Sequence, residues 1–218
     1  MDGAIFTSGD NTVASTETKI NACRPGFGAS CALCCGSHNC AASPGEMDAM
    51  YRSRGDVIRL YSRDYLVKRV MESRSPMTGS YYFTGRRDIG LPELPQLVEA
   101  GRCPFIGIRT GTGEIGCLLH EGSETSLRYE CFKNYSSKNF TCAAKEALSD
   151  DEVLFAATLC GDWYYYSLLV FYRHDLVSLM REYPLAADVP EPVFEKVKAG
   201  LCARAVTDPA PHRMLSYF

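Results

Sequence analysis

The sequence lacks several features that mark common functional classes. Its 23 Lys and Arg residues nearly balance its 26 Asp and Glu residues, and the formal net charge is −3. Because it has no basic stripe or arginine-rich run, nothing in it predicts nucleic-acid binding. The motifs G-x-S-x-G, Walker A and H-E-x-x-H are also missing. Serine-hydrolase, nucleotide-hydrolase and zinc-protease functions therefore have little support.

A long, uninterrupted apolar run is missing as well. The longest apolar stretch, residues 153–172, contains Gly161 and Asp162 in its middle and several tyrosines. An aspartate at the centre of a membrane span is unfavourable, so this stretch is interpreted as a buried helix or helix pair. The first 19 residues have neither the basic nor the apolar segment of a secretory signal. We therefore expect a cytoplasmic protein without a membrane span.

Cysteine, by contrast, is abundant. The chain has 11 cysteines, an odd number, so complete internal pairing is impossible. In a reducing cytosol, clustered thiols favour metal binding or catalysis over disulfides. Cys103 and Cys117 flank one glycine-rich segment, and a second such segment contains Cys23, Cys31, Cys34, Cys35 and Cys40. Thiolates brought together from two loops are what Zn²⁺ or an iron–sulfur cluster requires.

The remaining pattern predicts an α+β fold that is mostly helical, with irregular cysteine-rich loops and a small β-hairpin packed on an α-helical core. Ser43 and Ser149 each open a capping box with a glutamate three residues later. One long helix or two consecutive helices are expected over 44–73, with a break near Gly55. Further helices are expected from 149 to 160, from about 163 to 183 and from 190 to 205. We expect a flexible tail over 1–20, a metal-binding region over 21–145 and a helical part of the same domain over 146–218.

Cys31-x₂-Cys34 is the strongest local motif, because this spacing lets two sulfurs face one ion. The adjacent Cys34 and Cys35 point in different directions, so one of them serves a different role; the alternative for this loop is free thiols or a redox pair. Cys40 completes the cluster. Cys23 stands apart and is not assigned.

The second half of the predicted site is a hairpin, with one strand within 103–110 and another within 114–120. Cys103 and Cys117 would then lie close together at its base, the alternative being half-buried sheet residues. Its turn contains G-x-G-x-x-G at 111–116, which also matches a dinucleotide-binding fingerprint. No helix follows at the required place, so a hairpin turn is the better interpretation.

Other residues are weaker candidates. Cys131 and Cys142 bracket a polar loop and could complete a second ion site or supply missing ligands. His38 and His120 could ligate the metal or donate to a sulfur, although a surface position is the commoner case. The aromatic cluster at 163–166 is expected in the core, with a substrate pocket as the alternative. Core packing is also expected for Cys160 and Cys202.

With these residues in place, the chain resembles bacterial cysteine-cluster proteins of the zinc- or iron-chelating CxxCxxCC type. The resemblance rests on Cys31-Ala-Leu-Cys34-Cys35, on Cys103-Pro-Phe-Ile and on the segment from Gly113 to His120, within residues 23–142. It implies a bound zinc ion or iron–sulfur cluster. The family's last ligand cannot be matched to one position, and Cys131 or Cys142 is the candidate. One branch of the family resembles flagellin lysine methylases, but no methyl-donor site is evident here.

The sequence thus predicts a cysteine-ligated metal centre with eight candidate ligands: Cys31, Cys34, Cys35, Cys40, Cys103, Cys117, Cys131 and Cys142. An iron–sulfur cluster would imply an electron-transfer protein or an oxidoreductase. Zinc would imply a structural site that stabilises a loop-rich region, with the helical half as an interaction surface for a protein partner. A metal-free protein with redox-active thiols is the remaining alternative.

Overall fold

The computed structural model describes residues 19–33, 37–38, 43–60, 106–118 and 147–207. The described part is mostly helical and has one small antiparallel sheet, which confirms the predicted fold class. A 3₁₀ turn, Ala186–Asp188, lies between the last two helices. The named elements are α1 (Pro44–Ile58), β1 (Ile106–Ile108), β2 (Ile115–Cys117), α2 (Asp150–Cys160), α3 (Trp163–Phe171), α4 (Arg173–Glu182) and α5 (Glu191–Thr207).

Both predicted capping boxes form. At the start of α1, the Ser43 amide donates to the Glu46 carboxylate at 2.8 Å, and the Glu46 amide donates back to the Ser43 hydroxyl at 3.4 Å. At the start of α2, Ser149 and Glu152 make the same pair of bonds, at 2.8 and 3.2 Å. Each box satisfies two backbone amides that a helix start otherwise leaves without a partner. The starts of α1 and α2 are therefore determined locally.

The long helix predicted from 163 to 183 is in fact two helices, with a break at Tyr172. The backbone of Tyr172 has φ −88° and ψ 56°, outside the helical region. Helix α3, which precedes Tyr172, is buried on nearly every side. Helix α4, which follows Tyr172, buries only Leu176 and Leu179. The turn at Tyr172 therefore lets α3 cross the core while α4 covers it from outside. Because no glycine or proline marks the junction, the helical pattern alone did not show it.

The hairpin occurs where it was predicted, with shorter strands. Ile106 pairs with Cys117, Gly107 with Gly116 and Ile108 with Ile115. Gly111 and Gly113 in the connecting turn have φ values of 93° and 70°, which glycine adopts readily. The G-x-G-x-x-G motif is therefore a hairpin turn, as expected.

Helix α1 packs directly on strand β1, and this contact explains why α1 is continuous through Gly55. A methyl group at Gly55 would lie 2.0 Å from the carbonyl oxygen of Ile108. The glycine therefore permits a close approach of helix and strand. The predicted break near Gly55 is wrong, and the part of the predicted helix beyond residue 60 lies outside the described residues.

One core joins the described segments. Ala22 from the N-terminal loop, Met47 from α1, Ile106 from β1, Trp163 from α3 and Leu201 from α5 belong to a single buried cluster. The predicted boundaries at residues 20 and 145 remain predictions. No helix in the described ranges is long and apolar enough to cross a membrane.

Candidate metal centre

The two predicted halves of the site meet at a buried hydrogen bond. The backbone amide of Ile115 donates to the hydroxyl oxygen of Ser30 at 2.9 Å. Ser30 and Ile115 are 0% and 1% exposed. Ser30 directly precedes Cys31, and Ile115 lies two residues before Cys117. This bond therefore holds the N-terminal cysteine loop against strand β2.

Helix α3 holds the same loop from the other side. The Tyr166 hydroxyl donates to the carbonyl oxygen of Ala22 at 2.7 Å, and the Ser167 hydroxyl donates to that of Ser30 at 3.3 Å. Within the loop, the Cys31 amide donates to the carbonyl oxygen of Cys23 at 3.1 Å. Because hydrogen bonds satisfy its buried backbone groups, the loop has a defined shape without regular secondary structure.

Residues 37–38, in the middle of the cysteine cluster, are also anchored to the helices. The Tyr51 hydroxyl of α1 donates to the carbonyl oxygen of Ser37 at 2.7 Å. The His38 ring is 2% exposed and packs against Trp163 and Tyr164 at centroid distances of 5.5 and 4.6 Å. The cysteine cluster is thus tied to α1 and α3 at a point between Cys35 and Cys40.

His38 is not available as a metal ligand in this arrangement. Its Nε2 lies 3.2 Å from the carbonyl oxygen of Tyr164, and its Nδ1 lies 2.9 Å from the Ser37 hydroxyl. Since a carbonyl can only accept, Nε2 carries the proton, and in the neutral ring Nδ1 accepts from Ser37. His38 therefore anchors the loop. The expected alternative of a surface histidine is wrong as well, because the ring is buried.

Strand pairing determines the backbone position of Cys117. It ends β2 opposite Ile106, which is fully buried, and it follows Ile115 and Gly116 in the same strand. Cys103 lies outside the described residues, so its predicted position across the hairpin base stays a prediction. What the structure describes is the bond from Ile115, two residues before Cys117, to Ser30, the residue before Cys31.

Of the eight predicted ligands, only Cys31 has a described side chain. It is half-buried, is not in a disulfide and packs against the core. Among the residues that the structure describes, no group of three or more His, Cys, Asp or Glu side chains could hold a metal ion. The candidates outside the described residues are Cys34, Cys35, Cys40, Cys103, Cys131, Cys142 and His120.

Cys160 and Cys202 lie against the core, as their helical faces predicted. Burial, and secondarily the negative charge of Asp162, raises the pKa of the Cys160 thiol far above its usual range. Burial therefore favours the neutral thiol of Cys160, in keeping with its position against the core. The Cys202 thiol faces the Tyr165 hydroxyl, with 3.9 Å between sulfur and oxygen.

The aromatic cluster at the start of α3 packs in the hydrophobic core. Trp163 is 4% exposed, and its indole nitrogen donates to the Asp48 carboxylate at 2.9 Å. Asp162 caps α3 by accepting from the Tyr165 amide at 2.7 Å, and burial raises the pKa of its carboxyl. These contacts join α1 to α3. The alternative of a substrate pocket beside this cluster stays a prediction, and a groove of about 250 Å³ elsewhere is lined by α4 residues, from Arg173 to Arg181.

Ser30 and Ser167, which position the cysteine loop, were not foreseen. A serine next to a cysteine has no pattern that distinguishes it from other loop serines, so only the three-dimensional contact identifies it. Comparison of the chain with family models, with curated proteins and with solved structures finds no match. The resemblance to the cysteine-cluster family therefore rests on the motifs themselves.

Proposed function

We propose that this protein holds a cysteine-ligated metal centre, either zinc or an iron–sulfur cluster, between the N-terminal loop and the hairpin. The observation that carries the proposal is the buried bond from the Ile115 amide to the Ser30 hydroxyl. It brings the segment that opens Cys31-x₂-Cys34-Cys35 against the strand that ends at Cys117. Such convergence of two thiol-bearing segments is what a closed thiolate site needs.

The chemistry of the donors supports the same assignment. Sulfur ligands favour zinc and iron–sulfur clusters, whereas Mg²⁺ and Ca²⁺ prefer oxygen. The residues proposed to hold the metal are Cys31, Cys34, Cys35, Cys40, Cys103 and Cys117, with Cys131 or Cys142 as additional ligands. A bound cluster would supply electron transfer, and a bound zinc ion would cross-link the loop and the hairpin. We propose the cytoplasm as the location, because unpaired thiols persist in a reducing compartment.

The anchoring of the loop favours a rigid, preorganised site. Ala22, Ser30 and Ser37 all accept hydrogen bonds from α1 or α3 through their backbone carbonyls. In the described part of the loop, the bond to the Ser30 carbonyl holds the backbone next to Cys31, the one cluster ligand whose side chain is described. We also propose that the chain is a distant member of the bacterial CxxCxxCC family that it resembles.

The proposal is tested by comparing the metal content of three cysteine variants purified without oxygen. We expect Cys34→Ser and Cys117→Ser each to lose most of the bound metal, because each removes a sulfur from one half of the shared site. Cys202→Ser is the matched control and should keep the metal, since Cys202 lies against the core beside Tyr165. Full metal retention in both Cys34→Ser and Cys117→Ser would rule out a site shared by the two segments.

A further inference from the structure

The backbone of the N-terminal loop brings Cys23 next to Cys31. The Cys31 amide donates to the carbonyl oxygen of Cys23 at 3.1 Å. Two residues joined by such a bond have Cα atoms about 5–6 Å apart. The sequence leaves Cys23 unassigned, because it stands apart from the cysteine cluster. In the fold, however, Cys23 is the neighbour of the first cysteine of that cluster.

A tight turn closes the loop between the two cysteines. The Ala29 amide donates to the Gly26 carbonyl oxygen at 2.9 Å. The arm from Cys23 to Gly26 is one residue longer than the arm from Ala29 to Cys31, and it contains Pro25, which has no amide to pair. The extra residue shifts the register of the two arms. Cys23 is therefore the residue that meets Cys31.

The backbone of Cys23 is held on both sides. Its amide donates to the side-chain oxygen of Asn21 at 3.0 Å. The carbonyl oxygen of the preceding residue, Ala22, accepts from the Tyr166 hydroxyl at 2.7 Å. These two bonds and the bond from Cys31 all use backbone atoms of residues 22 and 23. The position of Cys23 therefore depends on contacts that a change of its side chain leaves in place.

Both cysteines are half-buried, and neither is in a disulfide. A cysteine that serves packing alone is usually fully buried. In the reducing compartment proposed above, a disulfide between two such thiols would not persist. Two partly exposed thiols side by side are instead typical of metal ligation, because closed zinc and iron–sulfur sites take several sulfurs from short loops.

The separation of the two backbones suits a shared metal ion. Two sulfurs on one tetrahedral zinc ion lie about 3.8 Å apart, given a Zn–S distance of about 2.3 Å. Cysteines whose Cα atoms are about 4.4–6.8 Å apart can bring their sulfurs even closer, to about 2.05 Å in a disulfide. A Cα separation of about 5–6 Å therefore lets the sulfurs of Cys23 and Cys31 reach one ion.

We infer that Cys23 is a further ligand of the metal centre, paired with Cys31. The inference rests on the proposed function and deepens it, because it adds a sulfur from outside the cysteine cluster. Both arms of the N-terminal loop then supply a ligand, and the hydrogen bond between Cys23 and Cys31 holds these two ligands side by side.

The test measures the metal content of Cys23→Ala purified without oxygen. We expect this variant to lose most of its metal, as Cys34→Ser does, because a sulfur is missing while the backbone contacts of residue 23 remain. Cys202→Ser is the matched control and should keep the metal, since this half-buried cysteine lies against the core beside Tyr165. Full metal retention in Cys23→Ala, with loss in Cys34→Ser, would overturn the inference and leave the proposed function standing.

Urea unfolding separates ligation from a structural role of the thiol. If Cys23 is a ligand, Cys23→Ala and the unchanged protein should unfold at the same urea concentration once a chelator has removed the metal from both. With metal present, only the unchanged protein should become more stable. A loss of stability in Cys23→Ala that is equally large with and without metal would overturn the inference.

If Cys23→Ala does not fold, alkylation of the unchanged protein decides. Iodoacetamide is added with the metal bound or removed, and the modified cysteines are identified by mass spectrometry. Slower modification of Cys23 when metal is bound supports ligation, provided that Cys202 reacts equally in both states. Equal rates at Cys23, or a disulfide between Cys23 and Cys31 in protein kept without oxygen, would contradict it. An unchanged protein without metal is a different result, since the proposed function itself then fails.

Discussion

The Ser30 hydroxyl accepts a hydrogen bond from the backbone amide of Ile115, and this bond joins the two segments that carry the predicted metal ligands. The segments are 85 residues apart in the chain. Ser30 also accepts from the Ser167 hydroxyl through its own carbonyl oxygen, at 3.3 Å. One buried residue therefore connects the cysteine loop, the hairpin and helix α3.

Replacement of Ser30 by alanine should separate the loop from the hairpin. The variant leaves the buried amide of Ile115 without its acceptor, which costs about 1–3 kcal/mol of unfolding free energy. We expect a corresponding loss in urea unfolding experiments, together with weaker metal retention. Thr112→Ala is the matched control, since the Thr112 hydroxyl accepts from the Glu114 amide in the exposed turn of the same hairpin. Equal stability of the two variants would show that the junction does not depend on Ser30.

The contact between α1 and β1 predicts opposite effects for two glycine substitutions in one helix. Gly55→Ala should destabilise the protein by about 1–3 kcal/mol, because its methyl group would lie 2.0 Å from the Ile108 carbonyl oxygen and force the strand away. Gly45→Ala meets no atom within 4 Å and should be neutral or stabilising by up to about 1 kcal/mol. Thermal unfolding measures both. Stabilisation by Gly55→Ala would mean that α1 does not pack closely on β1.

Glu152 should make the protein less stable in acid. The pKa of this carboxyl is lower than its ordinary value of 4.5. Burial is the largest single effect and raises the pKa, but the bonds from Arg173 and Ser149 together lower it by more. The stabilisation is therefore present above about pH 4.5 and is lost as the pH falls through the lowered pKa. We expect Glu152→Gln to reduce the fall in unfolding free energy between about pH 5 and pH 3.

Urea unfolding at several pH values tests this dependence. Glu195→Gln is a matched control, because Glu195 is exposed and its pair with Lys198 is expected to contribute little. A pH dependence in Glu152→Gln as steep as that of the unchanged protein would contradict the assignment. The ion pair that is tested runs from the Arg173 guanidinium to the Glu152 carboxylate at 2.8 Å.

The parts of the fold that the sequence predicted correctly depend on local interactions. The helix starts after Ser43 and Ser149 follow from side chains three residues apart, and the hairpin follows from glycines between two short apolar runs. The two errors concern long-range packing. Gly55 was expected to break a helix, but it permits contact with β1. The turn at Tyr172 depends on which faces of α3 and α4 the core covers.

For the candidate site too, the sequence indicated local features, whereas contacts between distant residues could not be predicted. The clustered cysteines indicated which segments would converge, and the Ser30–Ile115 bond joins those segments. The burial of His38 between Trp163 and Tyr164 was not predictable, because its neighbours in the fold are 125 or more residues away in the chain. The contact of the Arg54 guanidinium with the Ile106 carbonyl oxygen was not predictable for the same reason, because 52 residues of sequence separate the two.

The metal content of the unchanged protein decides whether it has a cysteine-ligated centre. The measurement is metal and sulfide analysis, with an absorption spectrum, on protein purified without oxygen. We expect either iron and sulfide with a broad absorption band near ~400 nm, as an iron–sulfur cluster gives, or colourless protein with stoichiometric zinc. Protein that contains neither metal would rule out the proposed centre.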